Sequence, residues 1–391
     1  MPGAGKAIIR MGINVSDMKI ILIGTTAASV LNFRSDLISA LISKGFTVYA
    51  MSIDYCDVTR EQVSRMGAFP VDYKFSRAGL NPVANLLDTL TLSKIIKTIS
   101  PNIVFSYFSK PVVFGTLAAK LAGVSRCIGM IEGLGYTFTD CPSRLNVKKV
   151  VIRRVQVLLY WFAFRFLERL IFLNKDDPKD LLGKYKLKAK NVSVLGGIGL
   201  DLQNYPYTKP PAAPISFIFV GRLLAEKGIC EFVSAARLIK LEYPDVKFHV
   251  LGGVDESNPG GLSYQELDEL VRTGTVTYPG YVTDVRDWLN RSSVFVLPSY
   301  YREGVPRSTQ EAMAVGRAVI TTDMPGCRET VVDGVNGFMV PPRSVPDLVE
   351  KMRYFVENPA QIEIMGLESL AMAKIKFNVE EINARLIRYF I

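Results

Sequence analysis

The chain has 391 residues, 49% hydrophobic and 21% charged, which excludes a disordered chain and leaves room for two or three ordinary domains. Its five cysteines, Cys56, Cys127, Cys141, Cys230 and Cys327, show no CxxC spacing, so neither a zinc site nor a disulfide framework is expected. Residues 1–200 hold 27 Lys and Arg against 13 Asp and Glu, whereas residues 201–391 hold 20 against 24, so the positive charge belongs to one half. A basic half suits an anionic lipid surface or a phosphorylated substrate. Its lysines and arginines are spread over helices without interleaved stacking aromatics, so nucleic acid is not an expected partner.

Residues 1–17 lack the apolar core of a signal peptide. The run PGAGK at 2–6 has the look of a phosphate loop, but no strand precedes it and Ala7 stands where a Ser or Thr is needed. The fold is expected to begin at Met18-Lys19, with an apolar strand at 19–23, a helical pattern over 31–43 closed by Gly45, and a strand at 46–50. A strand at 103–106 precedes a helix over 112–122, and a strand at 170–173 follows a long helix. Such alternation implies a parallel sheet with helices on both faces.

The segment 148–172 opens with Lys148, Lys149, Arg153 and Arg154 and continues into an apolar, aromatic-rich run. That run is far shorter than the roughly 18 residues needed to span a bilayer. Arg154, Arg165 and Arg169 fall on one helical stripe beside large aromatics, which suits a helix lying in an anionic interface; the alternative is a buried crossover helix.

Four prolines, Pro206, Pro210, Pro211 and Pro214, mark a linker. Beyond it the pattern restarts, with strands at 215–220, 246–251, 276–278, 294–297 and 318–321. The expected organisation is an acceptor- and membrane-facing domain over 18–205, a linker at 206–214, a second domain over 215–370, and a final helix at 371–391 packing back on the first domain. The fold class is α/β, two Rossmann-like domains facing a central cleft, with ligands at the carboxyl ends of the strands.

The strongest chemical signal is Glu303-Gly-Val-Pro-Arg-Ser-Thr-Gln-Glu311, which follows the strand at 294–297 and opens a helix. Gly304 permits close backbone approach, and the amides of 304–307 sit where a helix start favours phosphate. Glu303 and Glu311 offer acceptors for sugar hydroxyls beside those donors. A second signal is Val220-Gly-Arg222 followed by Glu226-Lys-Gly228, in which Arg222 and Lys227 supply two fixed positive charges for a leaving diphosphate. His249, the only histidine, lies inside an apolar strand and is read as a packed core residue, so a histidine base is not expected. There is no Asp-x-Asp anywhere, so no metal on a donor phosphate is expected.

These runs, together with Gly280-Tyr…Asp284, Leu297-Pro-Ser…Glu-Gly304…Glu-Ala312, Gly316, Gly326-Cys…Glu329, Gly334-Val-Asn-Gly-Phe338 and Val340-Pro-Pro342, resemble the family 4 retaining glycosyltransferases of the GT-B fold, in order over nearly all of 215–355. In the first half, Phe75-Ser-Arg-Ala-Gly-Leu-Asn-Pro82 and Ile131-Glu-Gly-Leu-Gly135, with Leu251-Gly-Gly-Val-Asp-Glu256 in the second, are similar to bacterial N-acetylgalactosaminyltransferases that extend undecaprenyl-diphosphate-linked sugars in N-glycan or O-antigen assembly.

The resemblance implies a role for each matching position. Arg222 and Lys227 would hold the diphosphate, Glu303 with the Gly304–Val305 backbone the donor sugar, and Glu311 the ribose. Gly252, Gly253, Tyr281 and Val282 would flank the uracil, while Ser76, Arg77, Asn81, Lys110, Glu132 and Gly133 would lie on the acceptor side. Members of the family often carry His-Lys where Ser109-Lys110 stands here. They are thought to let the leaving phosphate take the acceptor proton, which needs no enzymic base. The resemblance thus implies transfer of N-acetylgalactosamine, or a close N-acetylhexosamine, from its UDP form to a polyprenyl-diphosphate sugar, with no cofactor, at the cytoplasmic face of the bacterial inner membrane. Another UDP-hexose donor, a soluble acceptor and UDP-sugar epimerisation are the alternatives.

Overall fold

A computed structural model describes residues 18–75, 81–140, 147–255, 258 and 260–391. Short apolar runs become strands buried on both faces, the pattern of a parallel sheet covered by helices. The first sheet comprises β1 (Lys19–Ile23), β2 (Thr47–Ser52), β3 (Phe69–Asp72), β4 (Ile103–Tyr107), β5 (Arg126–Ile131), β6 (Arg169–Phe172) and β7 (Val192–Val194), in the order β3-β2-β1-β4-β5-β6-β7. The second comprises β8 (Ser216–Val220), β9 (Lys247–Leu251), β10 (Thr277–Gly280), β11 (Val294–Leu297), β12 (Ala318–Thr322) and β13 (Gly337–Val340), in the order β10-β9-β8-β11-β12-β13. Every paired register in both sheets is parallel. In each sheet the strand order reverses beside the first strand, between β1 and β4 and between β8 and β11, and that switch point is where such sheets bind ligands.

One core runs from one face of the first sheet through the C-terminal helices into the second sheet; the other face of the first sheet has its own core around Ile21, Val104, Tyr160 and Phe164. The Pro-rich segment is tied to the second domain: the buried Arg317 donates to Thr208 O at 2.7 Å, and Ser293 Oγ donates to Pro211 O at 2.6 Å. The chain returns to the first domain near its end. Leu200 N donates to Phe377 O at 2.9 Å and Val379 N to Leu200 O at 3.2 Å. The last helix, Val379–Ile387, then packs on the helix Ser35–Ser43, and Arg126 Nη1 donates to Phe390 O at 2.7 Å.

Four expectations are corrected. The end of the chain is not one helix over 371–391: the helix Ala360–Lys376 packs on the second sheet, and only Val379–Ile387 packs on the first domain. The helix read over 31–43 is two, Ala27–Phe33 and Ser35–Ser43, broken at Arg34, whose backbone leaves the helical region at φ −130°, ψ −3°. The helix read from 112 begins as a widened π-turn at Pro111–Gly115 and becomes α-helical over Thr116–Leu121. The arginine stripe does not form. The helix Val147–Ala163 passes into a 3-10 turn at Phe164–Phe166, because Phe164 is buried and stacks on Tyr160 with centroids 4.8 Å apart. Arg165 sits in that turn over Trp161, and Arg169 sits in β6, donating to Ser193 Oγ at 2.6 Å. Among the described residues no helix is long and apolar enough to cross a membrane.

Candidate active site

The carboxyl ends of β8 and β11 bring the two chemical motifs together. β8 delivers Gly221-Arg222 and a 3-10 turn, Ala225–Lys227; β11 delivers Pro298 to Glu303 and then the helix Arg307–Ala314. The two segments are bolted to each other, since Glu226 O accepts from Tyr300 N at 2.8 Å and Tyr301 N at 2.9 Å. This places Lys227 Nζ 2.5 Å from Glu303 Oε1, with side chains only 12% and 10% exposed, and Ser299 Oγ donates to the same oxygen at 3.0 Å. Arg222 Nη1 lies 2.9 Å from Asp255 Oδ2. Arg222 and Lys227 both stand 5.9 Å from the Tyr301 ring centroid. Burial pushes the Tyr301 hydroxyl pKa up, with Arg222 opposing, so it stays a neutral donor beside two cations.

The remaining donor-side candidates have their own partners. Glu311 Oε1 accepts from Tyr205 Oη at 3.0 Å and Arg307 Nε at 3.1 Å, and Arg307 reaches on to Gly199 O. Gly252 has φ +148°, and a Cβ there would lie 1.8 Å from Gly221 O, so only glycine lets the β9 end close on the β8 end. Gly253 O accepts from Leu223 N at 3.0 Å. Tyr281 is 74% exposed and Val282 half-buried after β10; Val305 is buried at the helix start.

The first domain touches the same backbone. Gly133 follows β5 with φ +93°, and a Cβ there would fall 2.5 Å from Gly304 N. Gly135 N donates to Arg302 O at 3.1 Å. The fully buried Asn174, at the end of β6, reaches Glu303 O at 3.0 Å and Gly304 O at 2.9 Å. Arg302 reaches back to Asp177 at 2.7 Å and Asp180 at 2.6 Å. Burial raises the Asp177 pKa to about 6 against the pull of Arg302.

The acceptor-side candidates are less tightly grouped. Glu132 is buried and paired with Arg34, whose guanidinium lies 4.3 Å from the Tyr107 ring centroid; burial raises its pKa, with Arg34 opposing. Its carboxylate therefore braces the loop from within. Asn81 caps the helix Pro82–Ile99, its Oδ1 accepting from Val83 N at 3.0 Å and Ala84 N at 3.2 Å, so that oxygen is committed locally. Lys110, just past β4, lines a large groove; its Nζ is 5.2 Å from the Phe75 ring centroid, and burial lowers its pKa. Ser76 and Arg77 lie outside the described residues. His249 is half-buried in β9, its ring 5.4 Å from that of Trp288, and burial lowers its pKa.

Sequence reasoning passed over Asn174, Asp177, Arg302 and Tyr301. Asn174 was findable: an amide at the carboxyl end of a buried parallel strand is placed to bind something.

Two family models match in succession, "Glycosyl transferase 4-like" over residues 19–174 and "Glycosyl transferases group 1" over residues 214–358. The chain is a GT-B glycosyltransferase of the family 4 type. It is 29% identical over 354 residues to the N,N'-diacetylbacillosaminyl-diphospho-undecaprenol alpha-1,3-N-acetylgalactosaminyltransferase of Campylobacter jejuni, covering 87% of this chain and 90% of the relative. It is 27% identical over 271 residues to the UDP-Gal:alpha-D-GlcNAc-diphosphoundecaprenol alpha-1,3-galactosyltransferase of Escherichia coli, covering 66% and 67%. Among solved structures, sucrose-phosphate synthase of Thermosynechococcus elongatus superposes with a TM-score of 0.76 at 18% identity over 95% of this glycosyltransferase and 98% of its own chain. HepE of Anabaena, in complex with UDP and glucose, gives 0.75 at 17% over 95% and 99%. At these identities the structures speak to the GT-B fold alone.

Proposed function

We propose that this glycosyltransferase moves N-acetylgalactosamine, or a close N-acetylhexosamine, from its UDP form to a sugar carried on polyprenyl diphosphate, with retention of configuration. The observation that carries the reading is the Lys227–Glu303 pair beside Arg222 at the switch point of the second sheet, with the first domain's Gly133 loop against the same Glu303–Gly304 backbone. Two cations, a hydroxyl-accepting carboxylate and a helix start fit a sugar nucleotide diphosphate. Two relatives that match 87% and 66% of this chain are named for transfer to undecaprenyl-diphosphate sugars, and this supports the acceptor class.

In the proposed step the acceptor hydroxyl forms a bond to the anomeric carbon on the face from which the diphosphate leaves. The carbon–oxygen bond to the β-phosphate breaks, its electron pair stays on UDP, and that phosphate oxygen takes the hydroxyl proton. Arg222 and Lys227 stabilise the charge that develops on the leaving group, so the step calls on neither an enzymic base nor a metal.

The lipid acceptor puts the work at the cytoplasmic face of the inner membrane. Exposed Val147, Val151, Leu158 and Trp161 beside a lysine- and arginine-rich helix start support peripheral binding to an anionic leaflet. The test is radiolabel transfer from UDP-N-acetylgalactosamine, UDP-N-acetylglucosamine, UDP-galactose and UDP-glucose to short polyprenyl-diphosphate-linked sugars. Selective transfer from one N-acetylhexosamine donor is expected. Tight UDP binding with no transfer to any lipid acceptor would overturn the acceptor assignment.

A further inference from the structure

A groove of about 950 Å³ opens on the first domain and runs to the donor site, where Arg222 and Asp255 form part of its wall. Its floor is the π-turn and helix after β4, with Val113, Phe114 and Leu117; Leu86 stands on one side and Val155 and Phe162 on the other.

The topology gives this groove a direction. In a parallel sheet each crossover helix starts near the carboxyl ends of the strands and finishes near their amino ends. Lys110 follows β4 and Lys149 opens the helix Val147–Ala163, so both sit at the cleft end; Lys149 Nζ is 4.0 Å from the ring centroid of Tyr136, another residue of the wall. Leu121, Phe162 and Phe166 close helices or follow them, so they sit at the far end. The groove is cationic where it meets the donor site and mainly apolar away from it, where the exposed Lys120 is the one charged lining residue among the described residues. Beyond its rim the apolar surface continues: Val83, Leu87 and Leu90 are exposed on one flanking helix, Val151 and Leu158 on the other. A soluble sugar acceptor has no use for such a wall.

We infer that this groove holds the first isoprene units of the acceptor's polyprenyl chain, with Lys110 and Lys149 facing its diphosphate. The inference rests on the lipid-linked acceptor proposed above. A diphosphate at the cleft end sets the attached sugar at Arg222 and Lys227, while the isoprenoid lies along Val113, Leu117 and Val155 and leaves past Phe162 toward the bilayer. Burial of the chain adds affinity with each isoprene unit, until the groove is full.

The experiment uses the full chain without vesicles or detergent. N-acetylhexosamine diphosphates on geranyl and on geranylgeranyl chains are compared as acceptors, below their aggregation concentrations. The wild type is expected to show a KM at least about tenfold lower for the longer chain. Leu86→Glu and Val155→Glu change residues that are 58% and 47% exposed, so the fold is kept. Each is expected to remove that advantage by raising KM for the geranylgeranyl acceptor more than for the geranyl one, with KM for the UDP-sugar unchanged. Ile375→Glu, on the opposite domain and 82% exposed, is the control and should change neither.

Equal KM values for the two chain lengths in the wild type would overturn the groove while sparing the acceptor class. So would Glu variants that keep the chain-length difference in this assay and lose activity only in a parallel assay on anionic vesicles, which would make the face a bilayer contact. A benzophenone-tagged geranylgeranyl diphosphate reads the site without catalysis. Labelling within 82–99, 111–121 and 147–166 is expected, and labelling elsewhere would overturn the inference. Groove labelling without sugar transfer would uphold the groove and sink the donor assignment.

Discussion

On the proposed reading Lys227 both pairs with Glu303 and steadies the leaving diphosphate, and the two roles can be separated. Its ammonium lies 2.5 Å from Glu303 in a site where both side chains are nearly buried. At an effective dielectric constant of ~20, unit charges at that spacing attract by roughly 6–7 kcal/mol, much of which desolvation offsets. Deleting one partner of a buried pair typically costs ~3–5 kcal/mol. Ser299 still donates to Glu303, which puts Lys227→Ala near the low end, about 3 kcal/mol. For a domain of this size that is a fall in Tm of roughly 6–12 °C. Removing a fixed donor from a developing oxyanion should also cost ~10²–10³ in kcat. The double variant Lys227→Met/Glu303→Gln removes both charges, so it should recover most of the lost Tm yet none of the lost turnover. Calorimetry and single-turnover transfer on the three proteins give the comparison. If the double variant regained turnover along with stability, Lys227 would be only a counter-ion for Glu303, and its role toward the diphosphate would be refuted.

Other expectations follow from the same geometry. Asn174→Ala orphans buried carbonyl oxygens of Glu303 and Gly304 at ~1–3 kcal/mol each, so both Tm and donor affinity should fall; unchanged UDP binding by calorimetry would contradict the clamp. Gly133→Ala meets both a left-handed backbone and a contact with Gly304 N, together a few kcal/mol (~1–2 and ~1–3), and transfer activity near wild type would mean the loop yields freely. If Glu311 holds the ribose as the family resemblance implies, Glu311→Gln should raise KM for the UDP-sugar roughly tenfold with little change in kcat, because such a contact is equal in ground and transition states; an unchanged KM would remove that role. Asp177 has a folded pKa of about 6, above its unfolded value of 3.8, so its contribution favours the fold below pH ~4 and is lost as pH rises toward 6. The Tm of Asp177→Asn minus that of the wild type should therefore increase from pH 4.5 to 7.5, and a decrease over that range would show that Arg302 outweighs burial.

The architecture was legible because parallel strands buried on both faces read as apolar runs, as at 19–23 and 294–297, each closed by glycine or a polar turn. The grouping of Arg222, Lys227 and Glu303 was legible for a related reason: they lie within short motifs at strand ends, so local sequence carries their relation. Contacts across long sequence separation leave no such trace. Nothing near Glu132 announces Arg34, 98 positions earlier, and nothing near Glu303 announces Asn174. The break at Arg34 was hidden because its flanks keep helical periodicity on both sides. The supposed arginine stripe failed for the opposite reason, since a single helical period was carried through Phe164, whose burial ends the helix.

The paired crossing at Leu200 and Phe377–Val379 has a mechanical consequence. One peptide connection between two bodies is a swivel, free to turn about several axes. Two connections fastened side by side make a book spine, which permits opening along one line and resists twisting. The domains should then part and rejoin with the Gly133 loop returning to the same place on Gly304 in every cycle. Turnover limited by release of UDP would be sensitive to substitutions at Leu200 or Phe377, residues that never meet a sugar.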